Sequence, residues 1–252
     1  MVRYRAIVAY DGSLYFGFQR QAGSTPTIQG TIEAAIEQVT RQTVTVIGAG
    51  RTDTGVHATG QVIAFDADWK HTPRQLWRAL NARLPVTVAL QSLEVVDAHF
   101  HPRFDARSRA YEYTLYVAEV RQPLLNAFAW HLWDRQPLNV TAMQAAAGLL
   151  VGVHDFGTFG QPPQGENTVR TVFASEIIEM PAPAFVMQML RYRIEADAFL
   201  YRMVRRIVGA LVRVGRGTLS LDEFATAFGA ADSTWPNETA PAQGLCLTNV
   251  SY

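Results

Sequence analysis

The order in which hydrophobic periods change along this chain constrains its fold more than any other feature. Residues 3–10 alternate as a half-buried strand does, and Asp11-Gly12 closes the run. Thr25-Pro26 reads as an N-cap followed by proline at the first helical position, and Ile28, Ile32, Ile36 and Val39 recur at helical spacing. Residues 43–47 and 61–66 read as strands on either side of a glycine-rich loop, 73–84 as a helix and 86–96 as a strand. The order is β-α-β-β-α-β. It then repeats. Residues 111–117 alternate, Asn139 caps a helix to about 150, and 171–180 with 185–196 form a hairpin around Pro181-Ala182-Pro183. A helix follows over about 199–214, a second after Ser220, and 244–252 ends as a strand. One extra helix is the only expected departure from a second β-α-β-β-α-β unit. The expected class is α+β: duplicated ferredoxin-like halves, 1–105 and 106–252, with a mainly antiparallel sheet. Many unrelated functions share that architecture, so chemistry must come from particular residues.

Composition narrows the setting. With 48% apolar and 17% charged residues, the 252-residue chain has a globular composition. Cys246 is the single cysteine, so no internal disulfide forms, and a reducing cytoplasm is expected. No signal peptide or membrane-length apolar run is visible. The formal net charge is zero, yet Lys70 is the one lysine and the remaining cations are arginine. Arginine suits planar phosphate contacts and stacking on bases. Arg191, Arg193, Arg202, Arg205, Arg206, Arg213 and Arg216 fall in one stretch, with Glu195 and Asp197 against them, which leaves room for a locally basic surface.

The chemistry points to Gly48-Ala49-Gly50-Arg51-Thr52-Asp53-Thr54-Gly55-Val56-His57-Ala58-Thr59-Gly60. Four glycines between two strands specify a tight backbone path. A P-loop needs a Gly-Lys-Ser/Thr ending, which is missing. A dinucleotide fingerprint needs a third glycine where Asp53 stands, and a carboxylate there would repel a pyrophosphate. A glycine-rich hairpin with Asp53 in an Asx-turn is the plain structural alternative. It leaves unexplained why Arg51 and Asp53 share one constrained loop.

Gly50-Arg51-Thr52-Asp53-x-Gly55-Val56-His57-Ala58 resembles the signature of the TruA family of tRNA pseudouridine synthases. Further landmarks are similar and follow in family order. They are Tyr10-Asp11-Gly12-Ser13 with Gly17-Phe18-Gln19 and Thr27-Ile28-Gln29, then Phe100-His101-x-Arg103-Phe104-x-Ala106 with Arg109-x-Tyr111-x-Tyr113. His154-Asp155-Phe156 with Phe159, Met203-Val204-Arg205-x-Ile207-Val208-Gly209 and Gly244-Leu245-x-Leu247 complete them. Phe18 and Ser13 depart mildly from the tryptophan and threonine expected there.

The resemblance implies a reaction that breaks the uridine C1′–N1 bond and joins C1′ to C5 of the same base. Such an isomerisation needs no cofactor and no metal. It implies Asp53 as the catalytic carboxylate. Aspartate side chains are ordinarily ionised at neutral pH. Three roles stay open to one here: attack on the anomeric carbon, as in a retaining glycosidase, removal of a ribose proton, or addition to the base. Arg205 is implied as the ion-pair partner of Asp53. By helical periodicity it sits between a face of Arg202, Arg206 and Arg213 and a face of Leu200, Val204, Ile207 and Leu211. Tyr111 would stack on the target base. Arg107, Arg109, Tyr111 and Tyr113 share one strand face by the two-residue period, a pattern suited to stacking and phosphate contact. Arg51 would contact RNA and hold the uridine out of its stack. Leu245 would line the base pocket.

Asp97, His99 and His101 alternate like metal ligands on a strand, but no other ligand cluster supports a metal there. His57 looks structural. The implied partners are tRNA, through uridines of the anticodon arm at about positions 38 to 40, and a second copy of the chain in a homodimer. Three alternatives compete: a noncatalytic tRNA-binding relative or chaperone, a synthase for another RNA, and a glycosidase or other hydrolase using Asp53. An intact Asp53 with Arg205 and Tyr111 weighs against the first. The lack of a clear second catalytic carboxylate weighs against the third.

Overall fold

The structure is a computed structural model that describes residues 1–23, 25–162, 165–236 and 238–252. Its strands and helices run β1 (Val2–Tyr10), α1 (Ile28–Thr40), β2 (Ile47–Gly48), β3 (His57–Ala67), α2 (Pro73–Asn81), β4 (Val88–Val95), β5 (Ser108–Val117), α3 (Pro123–Asn126), β6 (Trp130–Leu132), α4 (Val140–Gly148), β7 (Gly152–Asp155), β8 (Val169–Met180), β9 (Gln188–Ala196), α5 (Met203–Gly215), α6 (Leu221–Gly229) and β10 (Leu245–Ser251). The class is α+β. Two compact units form: Met1–Arg107 with Cys246–Tyr252, and Ser108–Leu245. The sequence order places a boundary near 105 and keeps the last strand with the second half. In the structure residues 246–252 return to the first unit.

In the first unit β4, β1 and β3 lie side by side and antiparallel, and β2 pairs with β3. β10 pairs in parallel with the start of β3, Cys246 opposite His57 and Leu247 opposite Ala58. The alternation of β1 buries Tyr4, Ala6, Val8 and Tyr10. Ile28, Ile32 and Ile36 form the buried stripe of α1, as their spacing predicts. Leu76 and Leu80 do the same for α2, and burying a leucine of this kind contributes roughly 1.5–3 kcal/mol. Proline at the first position and a Thr72–Gln75 capping box start α2. The Trp77 indole N–H donates to Leu90 O at 2.7 Å, and the Asn81 amide engages both N–H and C=O of Leu90, which docks α2 on β4.

In the second unit β5, β9, β8 and β7 form an antiparallel run, and β6 adds in parallel to β5. Tyr113 and Tyr192 face each other across β5 and β9 and are fully buried. Helix α4 packs on β8 and α5. At its contact with α5, a Cβ on Gly215 would lie 2.6 Å from the Met143 sulfur, so close approach requires glycine there. Asn139 caps α4, and Ser220 with Glu223 forms a capping box on α6.

Several boundaries differ from expectation. The α1 cap is Thr27, which accepts from Gly30 N, not Thr25. The strand expected over 43–47 shrinks to Ile47–Gly48. Helix α5 starts at Met203, because Arg202 takes a left-handed φ of 59° that no helix continues through. The extra helix is not the only departure from the second repeat, since α3, β6 and β7 also intervene. Among the described residues, no helix is long and apolar enough to cross a membrane.

Candidate active site

The loop after β2 is held at several points along its backbone. Ala49 N donates to Val62 O at 2.8 Å, and the fully buried Gln61 donates its amide to Gly50 O at 2.9 Å. Thr52 is buried and held twice. Its hydroxyl bonds Tyr10 Oη at 2.8 Å and its carbonyl accepts Phe18 N at 3.0 Å. Val56 N then closes a turn on the Asp53 carbonyl at 3.1 Å. Gly55 occupies the third turn position with φ +77°, a value that glycine alone adopts without strain. Arg51 is exposed and Asp53 half-buried, one on each side of the buried Thr52.

The end of β1 braces this loop. A Cβ on Gly12 would lie 2.0 Å from Val56 O, so the two backbones meet directly. The buried His57 accepts the Gly12 N–H at Nδ1, 3.1 Å, with Asp11 Oδ1 3.2 Å from the same nitrogen. Asp11 also caps the Gly12–Leu14 turn through Ser13 N. Burial alone would push the Asp11 carboxyl up. The Ser13 hydrogen bonds and His57 outweigh it and hold the group below its ordinary value. Gln29 and Glu33 anchor the segments on both sides of α1: Gln29 accepts Arg20 N at 2.8 Å, and Glu33 receives Arg20 Nη1 at 2.9 Å and Val46 N at 3.0 Å. These ties explain why Tyr10-Asp11-Gly12 and Thr27-Ile28-Gln29 accompany the Arg51–Asp53 loop in the sequence.

In the second unit Arg205 lies in the first turn of α5. Its Nε donates to Ala240 O at 2.7 Å, and Ala240 N returns a bond to Arg205 O at 3.1 Å. The Tyr113 hydroxyl donates to the next carbonyl, Pro241 O, at 2.8 Å. Burial drives the Tyr113 phenol far above its ordinary range, with the Arg205 charge opposing. Gly244 faces the Tyr113 ring, where a Cβ would come within 2.5 Å, and this fixes the backbone entering Leu245. Leu245 is buried. Tyr111, two residues from Tyr113, is also buried and meets Phe199 edge-on with ring centroids 5.1 Å apart. Arg109 donates to Asp197 O at 2.8 Å. Arg205, Tyr113 and the 240–245 segment thus come together. Tyr111 and Arg109 continue the Tyr113 face of β5. Arg107 does not, since it precedes the strand and its N–H donates to Ser251 O in the first unit. The Ala240 and Pro241 carbonyls have no signature in the sequence.

A family model described as tRNA pseudouridine synthase matches residues 6–105 and 146–252. The chain belongs to the tRNA pseudouridine synthase family. Proteins called tRNA pseudouridine synthase A align along its whole length. The one from Brevibacillus brevis is 41% identical over 254 residues, covering 100% of both chains. That from Pseudothermotoga lettingae is 38% identical over 253 residues, again covering 100% of both. That from Neisseria meningitidis serogroup B is 39% identical over 252 residues, covering 99% of this chain and 92% of its own. The protein is an isomerase that converts uridine to pseudouridine in tRNA.

For a tRNA pseudouridine synthase the arrangement of its cations matters, and three arginines of the stretch 191–216 are engaged by carboxylates. Arg191 pairs with Glu112 at 3.3 Å, and Arg193 with Glu176 at 3.2 Å and Glu195 at 3.9 Å. Arg216 pairs with Asp134 at 2.9 Å. Arg202 stacks over Tyr201 and Arg213 over Trp235. The acidic partners Glu112, Asp134 and Glu176 come from distant segments, which local sequence density does not show. The strand alternation of Asp97, His99 and His101 does not hold either, because the three follow β4 in a turn. Asp97 Oδ1 accepts His99 N, and His101 Nδ1 accepts the N–H groups of Arg103 and Phe104.

Proposed function

We propose that this synthase modifies uridines of the tRNA anticodon arm, at about positions 38 to 40, with Asp53 as its catalytic carboxylate. The observation that carries the assignment is the hold on the backbone at Asp53. Thr52 is fixed through hydroxyl and carbonyl, and Asp53 itself closes a glycine-dependent turn while its side chain stays half-exposed. A carboxylate placed this way meets a reacting sugar or base without reorganising. In the reaction C1′ leaves N1 and joins C5; N1 gains a proton and C5 loses one. Atoms balance with no co-reactant.

Arg205 supplies the cation of the proposed catalytic set, and Tyr111 the aromatic face for the target base. Its packing on Phe199 supports that role, since a stacking platform must be rigid. Arg51, exposed beside Asp53, contacts RNA and holds the uridine extruded. Arg109 contacts the substrate from the same strand as Tyr111, and Leu245 gives the pocket an apolar wall. The working form is a homodimer, and the compartment is the cytoplasm, which suits the single cysteine, Cys246.

Pseudouridine mapping tests the proposal. Unmodified tRNA is incubated with the wild type and with Asp53→Asn, without metal or cofactor. Pseudouridine in the anticodon arm from the wild type alone is expected. Modification confined to another arm would overturn the site assignment, and an active Asp53→Asn would overturn the residue. Sedimentation as a stable monomer at micromolar concentration would overturn the homodimer.

A further inference from the structure

The strongest unassigned feature is the outer face of α2. From residue 69 to 93 the chain carries Lys70, Arg74, Arg78 and Arg83 and no Asp or Glu, although the protein as a whole is neutral. All four cations are exposed. None pairs with a carboxylate among the described residues, in contrast to Arg191, Arg193 and Arg216. Arg74 and Arg78 stand one helical turn apart on the same face, where like charges repel. Arg74 also sits in the first turn of α2, whose N-terminal pole is positive, and no acidic residue occupies that turn. Helix α6 does the opposite, with Asp222 and Glu223 in its first turn. Folding alone favours the α6 pattern. The α2 pattern adds side-chain and helix-pole charge of one sign, the arrangement that attracts an anion. The inner face of α2 is fully employed in packing, with Leu76 and Leu80 buried and Trp77 and Asn81 bonded to Leu90. The cations are therefore separable from the fold.

We infer that the outer face of α2, centred on Arg74 and Arg78 and flanked by Lys70 and Arg83, binds the sugar–phosphate backbone of the tRNA substrate, apart from the residues that handle the uridine. Charge complementarity names the occupant: the helix face is cationic, and the tRNA substrate of this synthase is a polyanion. Contacts of this kind fix register without reading sequence. They also release counterions, so they show in the salt dependence of binding.

The test is Arg74→Gln/Arg78→Gln, which keeps good helix formers on an exposed face. Binding to full-length unmodified tRNA is measured across a salt series, with turnover at saturating tRNA and thermal unfolding alongside. Affinity at low salt is expected to fall about tenfold, and the slope of log K against log salt to flatten by about one unit per arginine. Turnover at saturation stays within about twofold, and thermal stability holds or rises as the repulsion is relieved. Unchanged affinity and slope in a folded variant would overturn the inference, as would loss of turnover at saturation without loss of affinity. Lys70→Gln/Arg83→Gln, which spares the helix itself, should flatten the slope in the same direction; a variant pair that affects neither would limit the face to nothing more than solvation and sink the proposal. Asp53→Asn, which should still bind tRNA, keeps this outcome distinct from the catalytic assignment.

Discussion

The loop around Asp53 and the outer sheet face around Arg193 are both crowded with polar groups, and they are built in opposite ways. The loop is held by uncharged bonds: Tyr10 to Thr52, Phe18 N to Thr52 O, Gln61 to Gly50 O. The sheet face is held by charge against charge, Arg191 with Glu112 and Arg193 with Glu176 and Glu195. A charge engaged by a fixed opposite charge is screened from anything that approaches. A scaffold made of neutral bonds fixes the backbone on either side of Asp53 without using a charge to hold it. Charge counts therefore locate function less well than the question of what holds each charge in place.

Removing one charge from each region is the sharpest way to break this comparison. Asp53→Asn should lower kcat about a thousandfold or more, the scale of losing a direct participant in the chemistry, and change stability by no more than about 0.5 kcal/mol. Glu112→Gln, also an acid-to-amide change, should leave kcat within about twofold, since the half-buried pair it breaks with Arg191 lies outside the proposed catalytic set, and should cost about 1 kcal/mol of stability. Single-turnover assays on the two variants, with thermal melts, decide. Equal losses would erase the distinction between the regions.

The neutral scaffold makes the second prediction. Tyr10→Phe leaves the buried Thr52 hydroxyl without the 2.8 Å bond. Such a loss costs about 1–3 kcal/mol. If Thr52 positions Asp53, kcat should fall about tenfold or more while KM for tRNA stays put, because misplacement acts on the reacting geometry. Thr52→Ser keeps the hydroxyl and should retain most activity. A fall in stability with kcat intact would reduce Tyr10 to an ordinary core residue.

The two regions were not equally legible. Arg51, Asp53 and the glycines lie within a few residues of each other, so a local pattern exposes the loop, and Gly55 at φ +77° is a requirement a sequence displays. The strands β1 and β5 and the caps Asn139 and Ser220 are local in the same sense. What stayed hidden depends on distant partners. Arg205 meets Ala240, Tyr113 meets Pro241, and β6 exists because Trp130 falls opposite Leu115. The partners of Arg191 and Arg193 were hidden for the same reason, since Glu112 and Glu176 are strand neighbours and not sequence neighbours. The α1 cap expected at Thr25 lies at Thr27, where the Gly30 N–H donates to the threonine hydroxyl.

Unmasking the arginines is the third prediction. Glu112→Gln with Glu176→Gln removes two carboxylates that face Arg191 and Arg193. Retention on an unrelated single-stranded RNA should rise several-fold at low salt and disappear near 0.2 M, as nonspecific phosphate binding does. Specific pseudouridine formation should change little. Unaltered RNA retention would mean those arginines were already open to RNA, and the contrast with α2 would fail.

The smallest expected effect compares the best ion pair of the first unit with its counterpart in the second. Arg3 grips Asp66 with two bonds, Nε to Oδ1 at 2.9 Å and Nη2 to Oδ2 at 2.7 Å, whereas Arg193 reaches Glu176 through one at 3.2 Å. The Arg3 hydrogen bonds hold the Asp66 carboxyl below its ordinary value, with burial opposing and the Arg3 charge adding to the pull. A carboxyl whose folded pKa lies below its unfolded one stabilises the protein above the unfolded value, about 3.9 for aspartate. That contribution is lost as pH falls through the folded value. Asp66 is 42% exposed, so solvent screening keeps the effect under about 1 kcal/mol. Asp66→Asn should therefore be slightly less stable than wild type at pH 7, and the gap should close as the pH drops below about 4. Denaturant titrations of both proteins between neutral and acid pH measure that gap directly. A gap that persists in acid would assign the loss to packing or to the neutral hydrogen bonds, and the two sheet faces would then differ in geometry without differing in charge.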